Sequence, residues 1–159
     1  MSPSETLVAF LAASGRRFEV IEHVEARSAV DAAAARGTPL EIGGKTVVMK
    51  IDKIGYSALV VGSHRRIEGR LLRKALRVQR YRFASREELV ELEGLSPGEI
   101  PPIGRPLFPV DLFVGRDLVE RPEIAFAAAS ATRSIRMATA DWLAIANPTV
   151  VETFTVADE

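Results

Sequence analysis

Cysteine is absent from the 159 residues, which excludes disulfide frameworks, thiolate metal sites, iron–sulfur clusters and thiol nucleophiles. Only two histidines occur, His23 and His64, far apart in the chain, so a histidine-rich metal site is not expected and catalysis, if any, should run without metal or cofactor. Long apolar runs are also lacking. Each is broken by Arg, Glu or Asp before the roughly 18–20 residues of a membrane span. Residues 1–5 carry no basic segment ahead of an apolar one, so no signal peptide is read and a cytoplasmic protein with no membrane partner is the default. Net charge is zero, from 21 Lys+Arg against 21 Asp+Glu. Phosphate-binding Gly-x-x-x-x-Gly-Lys, the dinucleotide fingerprint, the Gly-x-Ser-x-Gly elbow and His-Glu-x-x-His are all missing, as are internal repeats and interdomain linkers.

What is present is an ordinary globular composition, 47% hydrophobic and 26% charged, on a length suited to one domain spanning 1–159. Ser2 and Glu5 have capping-box spacing with Pro3 at the first helical position, and Leu7, Phe10 and Leu11 recur at helical spacing up to Gly15. Residues 18–22 alternate as a half-buried strand, and Ser28 caps a short alanine-rich helix over 29–36 that Gly37 ends. Residues 46–51 and 57–61 are β-branched runs joined by Asp52-Lys53-Ile54-Gly55, which predicts a hairpin. A helix is expected over 66–76, weakened by Gly69, then a strand over 79–83. Ser85-Arg86-Glu87-Glu88 is a second capping box, with its helix ending at Gly94. Five prolines and two glycines in residues 96–109 predict an ordered loop. Strands follow over 110–114, 123–127 and 134–137, then a helix capped by Thr139, and a closing strand over 150–156. Interleaved strands and helices with a hairpin predict one mixed α/β domain.

Several residues are candidates for chemistry. Lys45 follows Gly43-Gly44 at the start of a strand, where an ammonium is either a solvated strand-end charge or a donor to a phosphate or developing oxyanion. In the proline-rich loop, Gly98 and Gly104 permit close backbone approach to a ligand, and Pro101 and Pro102 fix neighbouring carbonyls; the alternative is a loop that covers a sheet edge. Arg66, Arg70, Arg73, Lys74 and Arg77 recur at helical spacing, as a basic ridge for a phosphate backbone or as a solvated face balanced by the acidic run after Ser85. Tyr81 and Phe83, between arginines, are either base-stacking or core aromatics.

Taken in order, these segments resemble the YbaK-type editing-domain family, which is inserted in bacterial prolyl-tRNA synthetases and also occurs as free-standing trans-editing proteins. The resemblance runs from Phe18-Glu19-Val20-Ile21-Glu22-His23 through Ser28-Ala29-Val30-Asp31-Ala32-Ala33-Ala34 to Lys45-Thr46-Val47-Val48, similar to the family's Lys-Thr-Leu-Val signature. It continues with Gly98-Glu99-Ile100-Pro101-Pro102-Ile103-Gly104, similar to a Gly-x-x-x-Pro-x-Gly loop, then Arg116-Asp117-Leu118, Ser134-Ile135-Arg136-Met137 and Asp141-Trp142-Leu143. Two departures are visible: Ala129 stands in Ala128-Ala129-Ser130 where relatives usually carry glycine, and Glu99 stands at a second usual glycine.

The resemblance implies a mostly antiparallel, barrel-like sheet surrounded by helices. It implies hydrolysis of the ester between a wrong amino acid (Ala, Cys, Ser or Thr) and the terminal adenosine of a tRNA, the proline tRNA first. Lys45 would be the catalytic group. Gly98, Glu99, Ile100, Pro101, Pro102 and Gly104 would bind the aminoacyl moiety, with Ser130, Thr132 and His23 as weaker candidates. The terminal ribose hydroxyl would help activate water. The basic ridge would grip the acceptor stem, possible partners would include a synthetase, and the chain would be a monomer or homodimer. The alternative is a non-catalytic tRNA- or synthetase-binding module of the same fold.

Overall fold

The computed structural model describes residues 1–26 and 28–158. Helix α1 (Pro3–Ala13) starts where Ser2 accepts a hydrogen bond from the Glu5 N–H, and buries Leu7 and Leu11 completely. Strand β1 (Glu19–Glu22) leads to α2 (Ala29–Arg36), capped by Ser28 on the Asp31 N–H and closed by Gly37 at φ +71°. Strands β2 (Gly44–Ile51) and β3 (Gly55–Gly62) form the expected hairpin in antiparallel register, and β4 (Arg65–Ile67) follows.

The helix expected over 66–76 is shorter. Helix α3 (Gly69–Leu76) begins after Glu68, whose side chain accepts from the Leu71 N–H, so Gly69 sits in the first turn and not in the interior. Arg66 and Ile67 are claimed by β4 because Val156 and Thr155 pair with them, a partnership between segments far apart in sequence. Arg66 therefore lies outside the helical ridge, and Arg77 is the left-handed C-cap at φ +55°.

Strand β5 (Tyr81–Phe83) and α4 (Arg86–Glu93) follow, the latter with both bonds of its capping box in place between Ser85 and Glu88. Glu88 also receives the Arg82 guanidinium and the Tyr56 hydroxyl, which ties the helix start to two strands and holds its carboxyl far below the ordinary carboxylate range. The loop over 95–110 precedes β6 (Asp111–Gly115) and α5 (Arg116–Val119). Strands β7 (Glu123–Ala127) and β8 (Arg133–Ala138) form a second hairpin, and α6 (Thr139–Ala146) follows. Thr139 is the first helical residue here, not the cap; that place belongs to Ala138 and has no side-chain bond. The expected closing strand is divided into β9 (Thr149–Val151) and β10 (Thr155–Ala157), which belong to different sheets. The break falls where Phe154 turns into the core, 1% exposed, and its carbonyl accepts from the Glu68 N–H.

The architecture is the expected mixed α/β domain, with five antiparallel and two parallel strand pairings among the described residues. The barrel-like expectation is not met. Among the described residues the strands form an open five-stranded sheet (β5-β2-β3-β6-β9), a three-stranded sheet (β1-β8-β7) and a two-stranded ribbon (β10-β4). A single isolated bridge, Gly43 to Ala125, joins the two larger sheets. Alternation along β2 and β3 puts Val48 and Val60 into one apolar cluster with Ile124, Phe126 and Trp142, and Met49, Leu59 and Val61 into another with Leu72 and Phe154. Trp142 is fully buried and its indole N–H donates to the Pro102 carbonyl at 2.9 Å, which fixes the proline-rich loop to α6.

Candidate active site

The glycine pair before Lys45 serves close packing. A Cβ on Gly43 would lie 2.4 Å from Ser63 Oγ, and one on Gly44 3.1 Å from Ile124 Cδ1. These contacts draw the start of β2 against the 62–64 turn and β7, and Lys45 then projects as an exposed residue at the edge of a cleft of about 380 Å³. Ala29, Ala32 and Arg36, spaced along one face of α2, form another wall; the short alanines leave the space that the cleft occupies. Thr46, Phe83, Leu89, Gly98, Ile100 and Ala127 contribute further lining. Among the described residues no Asp or Glu lines it, and the charged groups that do are the two cations Lys45 and Arg36.

Arg36 was not singled out from the sequence, where it passes for a basic residue favoured in a helix's last turn. Its Nε donates to Ser134 Oγ at 2.8 Å, no carboxylate among the described residues pairs with it, and burial lowers its pKa. A guanidinium held this way keeps its terminal nitrogens for an anion. Thr46 was also missed. Its hydroxyl is buried at the cleft wall without a hydrogen-bond partner. Phe83, one of the two possible stacking aromatics, is 61% exposed and lines the cleft, whereas Tyr81 lies beneath the Arg73 guanidinium at 5.2 Å.

The loop candidates separate. Gly98, at φ +90°, and Ile100 face the cleft. Glu99 does not; its carboxylate accepts from the Ser96 N–H at 2.8 Å and closes its own turn. Pro101, Pro102 and Gly104 are buried on the core side, where a Cβ on Gly104 would meet the Val110 carbonyl at 2.7 Å. His23 and Ser130 line a separate polar cavity with Ser4, Glu5, Thr132 and Arg133. Ser130 Oγ there accepts from the Thr132 N–H. Asp117 accepts from Arg65 Nε at 3.1 Å and from Thr155, which makes it an anchor for β4 and β10. Arg66, Arg70, Arg73, Lys74 and Arg77 are all exposed, and none pairs with a carboxylate among the described residues.

A domain with this topology and a lysine-edged, carboxylate-free cleft matches the model of the aminoacyl-tRNA editing domain over residues 23–145, and the chain belongs to that family. It is 31% identical over 153 residues to the multifunctional Ser/Thr-tRNA deacylase ProXp-y of Escherichia coli, covering 92% of this chain and 90% of that protein. Among solved structures it is similar to a proposed trans-editing enzyme for prolyl tRNA synthetase, with a TM-score of 0.80 and 26% identity over 96% of this chain and 99% of the other. Hypothetical protein APE2540 shares the fold, with a TM-score of 0.82 and 20% identity over 94% and 99% of the two chains.

Proposed function

We propose that this protein is a free-standing trans-editing deacylase acting on tRNA mischarged with a small hydroxylated amino acid, serine or threonine. The observation that carries the reading is the cleft itself: among the described residues, Lys45 and Arg36 are its charged groups, on the fold of an editing domain. An aminoacyl ester is already activated, so placing water and stabilising the tetrahedral oxyanion is sufficient chemistry. Water adds to the carbonyl carbon, the Lys45 ammonium faces the oxygen that gains charge, and the bond to the ribose oxygen breaks. The products are free amino acid and tRNA with its terminal hydroxyl restored.

The amino-acid class is supported by the name of the Ser/Thr-tRNA deacylase relative and by Thr46. A buried hydroxyl without a partner favours a ligand that supplies one, and the side chain of serine or threonine does so. Phe83, exposed at the same cleft, offers a face on which the terminal adenine stacks. Arg70, Arg73 and Lys74 on α3, with Arg66 and Arg77 beside it, supply unpaired cations for the acceptor stem, so tRNA affinity falls with salt. A synthetase partner is tested by co-purification with prolyl-tRNA synthetase.

The deciding experiment is deacylation of tRNAs charged with Ala, Cys, Ser, Thr and Pro by the wild type and Lys45→Ala. Hydrolysis of the seryl and threonyl esters that falls at least about 100-fold in the variant supports the reading. No turnover of any ester with tRNA binding intact overturns it in favour of a non-catalytic binding module.

A further inference from the structure

Ser134 is the buried junction between the cleft and the second polar cavity. It lies on β8, the central strand of the three-stranded sheet, and is 1% exposed. Its Oγ receives Arg36 Nε at 2.8 Å and lies 2.8 Å from His23 Nε2. The other ring nitrogen, His23 Nδ1, lies 2.8 Å from the Val24 carbonyl, which can only accept. Nδ1 therefore carries the proton and, in the neutral ring, Nε2 accepts from the Ser134 hydroxyl. With its proton committed to His23, Ser134 Oγ presents lone pairs to Arg36. The direction of this chain is fixed from the Val24 carbonyl to the guanidinium.

We propose that Ser134 and His23 are positioning residues that orient Arg36 as the receptor for the phosphate of the substrate's terminal adenosine. This assignment of the anion rests on the deacylase reading. The geometry favours a phosphate over a carboxylate or a neutral ligand. Arg36 has spent only Nε on the protein, and its terminal nitrogens form the fork that matches two phosphate oxygens. A half-buried guanidinium without a carboxylate partner among the described residues is also costly unless something else orders it. The hydroxyl of Ser134 supplies that order without neutralising the charge. His23, a weaker substrate-binding candidate of the sequence resemblance, acts in this proposal from the neighbouring cavity.

The test uses the full chain and adenosine 5′-monophosphate as probe. Binding is followed by NMR titration, beside deacylation kinetics, for the wild type, Arg36→Ala, Ser134→Ala, His23→Ala and His23→Gln. Gln places an acceptor near the position of Nε2, so it keeps the relay. Ser134→Ala and His23→Ala are expected to weaken nucleotide binding and raise KM about tenfold with kcat within about twofold. His23→Gln is expected to recover most of the loss. In an Arg36→Ala background the Ser134 and His23 substitutions should have no further effect, which a general structural role would not produce.

Unchanged binding in Ser134→Ala, equal loss in His23→Gln and His23→Ala, or additive effects in the Arg36→Ala background would each overturn the proposal. So would a wild type that does not bind the nucleotide. If the nucleotide binds through Ser134 and Arg36 but no ester is hydrolysed, the relay stands and the deacylase reading fails.

Discussion

Lys45 and Arg36 reach the same cleft from different sheets' worth of structure, one from the second residue of β2 and the other from the last residue of α2 held by β8. On the proposed reading these two cations, with no carboxylate beside them among the described residues, form an anion site in which the two have different work. The Lys45 ammonium is a mobile point charge suited to the reacting oxygens, and the Arg36 guanidinium is fixed and suited to a static phosphate. Arg36→Ala should therefore raise KM by tenfold or more (about 1.4 kcal/mol) with kcat nearly unchanged, whereas Lys45→Ala should lower kcat. Steady-state deacylation of seryl-tRNA separates the two, and equal effects on kcat would refute the division.

On the proposed reading, the unpartnered Thr46 hydroxyl at the cleft wall favours a hydroxylated amino acid. Thr46→Val keeps the shape and removes the unpartnered oxygen, so kcat/KM for the seryl ester should fall about 10-fold or more while that for the alanyl ester holds or rises. The ratio of the two rates, measured on one tRNA body, reads this directly.

Ala129 adopts φ +56°, the left-handed region, at the position where the family resemblance calls for glycine. The Cβ costs about 1 kcal/mol in that conformation, so Ala129→Gly should stabilise the protein by about that amount. Urea unfolding measures it. A loss of stability would mean that the methyl group, buried at 6% exposure, contributes more through packing than it costs in strain.

Glu93 is buried with both carboxylate oxygens unpaired, and burial raises its pKa from 4.5 to about 7. Its folded state holds the proton more tightly than the unfolded chain does. The resulting stability is complete below the unfolded pKa and is lost as pH rises through about 7, a change of up to about 3 kcal/mol. Glu93→Gln lacks this titration. The difference in unfolding free energy between the two proteins, followed from pH 4 to 9, should shift against the wild type up to about pH 7 and level off above it.

Local signals were readable where they act over one turn. The Ser2 cap, the Ser85–Glu88 capping box, the αL glycines at 37 and 94, and the β2–β3 hairpin all lie where the residues place them, while Glu5 reaches back to the Ser2 hydroxyl and not to its backbone N–H. Failures came where distant segments compete for a residue. Arg66 and Ile67 look helical alone, yet the late strand β10 claims them, and the same pairing divides the C-terminal run in two. The site divides similarly. Lys45 was visible because a glycine pair and a strand start frame it, but the role of Arg36 depends on Ser134, 98 positions away. In the proline-rich loop, composition identified the loop but not its orientation; Trp142 holds Pro102 to the core, and Pro97, Gly98 and Ile100 face the cleft.

The seam between the two larger sheets makes the width of the cleft a property of the core. Lys45 stands on one side of that seam and Ala127 on the other, and the two sides are kept in step by the Gly43–Ala125 bridge and by Ile124 against Gly44. Ile124 is 1% exposed and does not line the cleft. Its volume acts as a spacer behind the wall. Repacking this one hidden side chain would therefore change the width of the cleft while leaving each of its lining residues as it was.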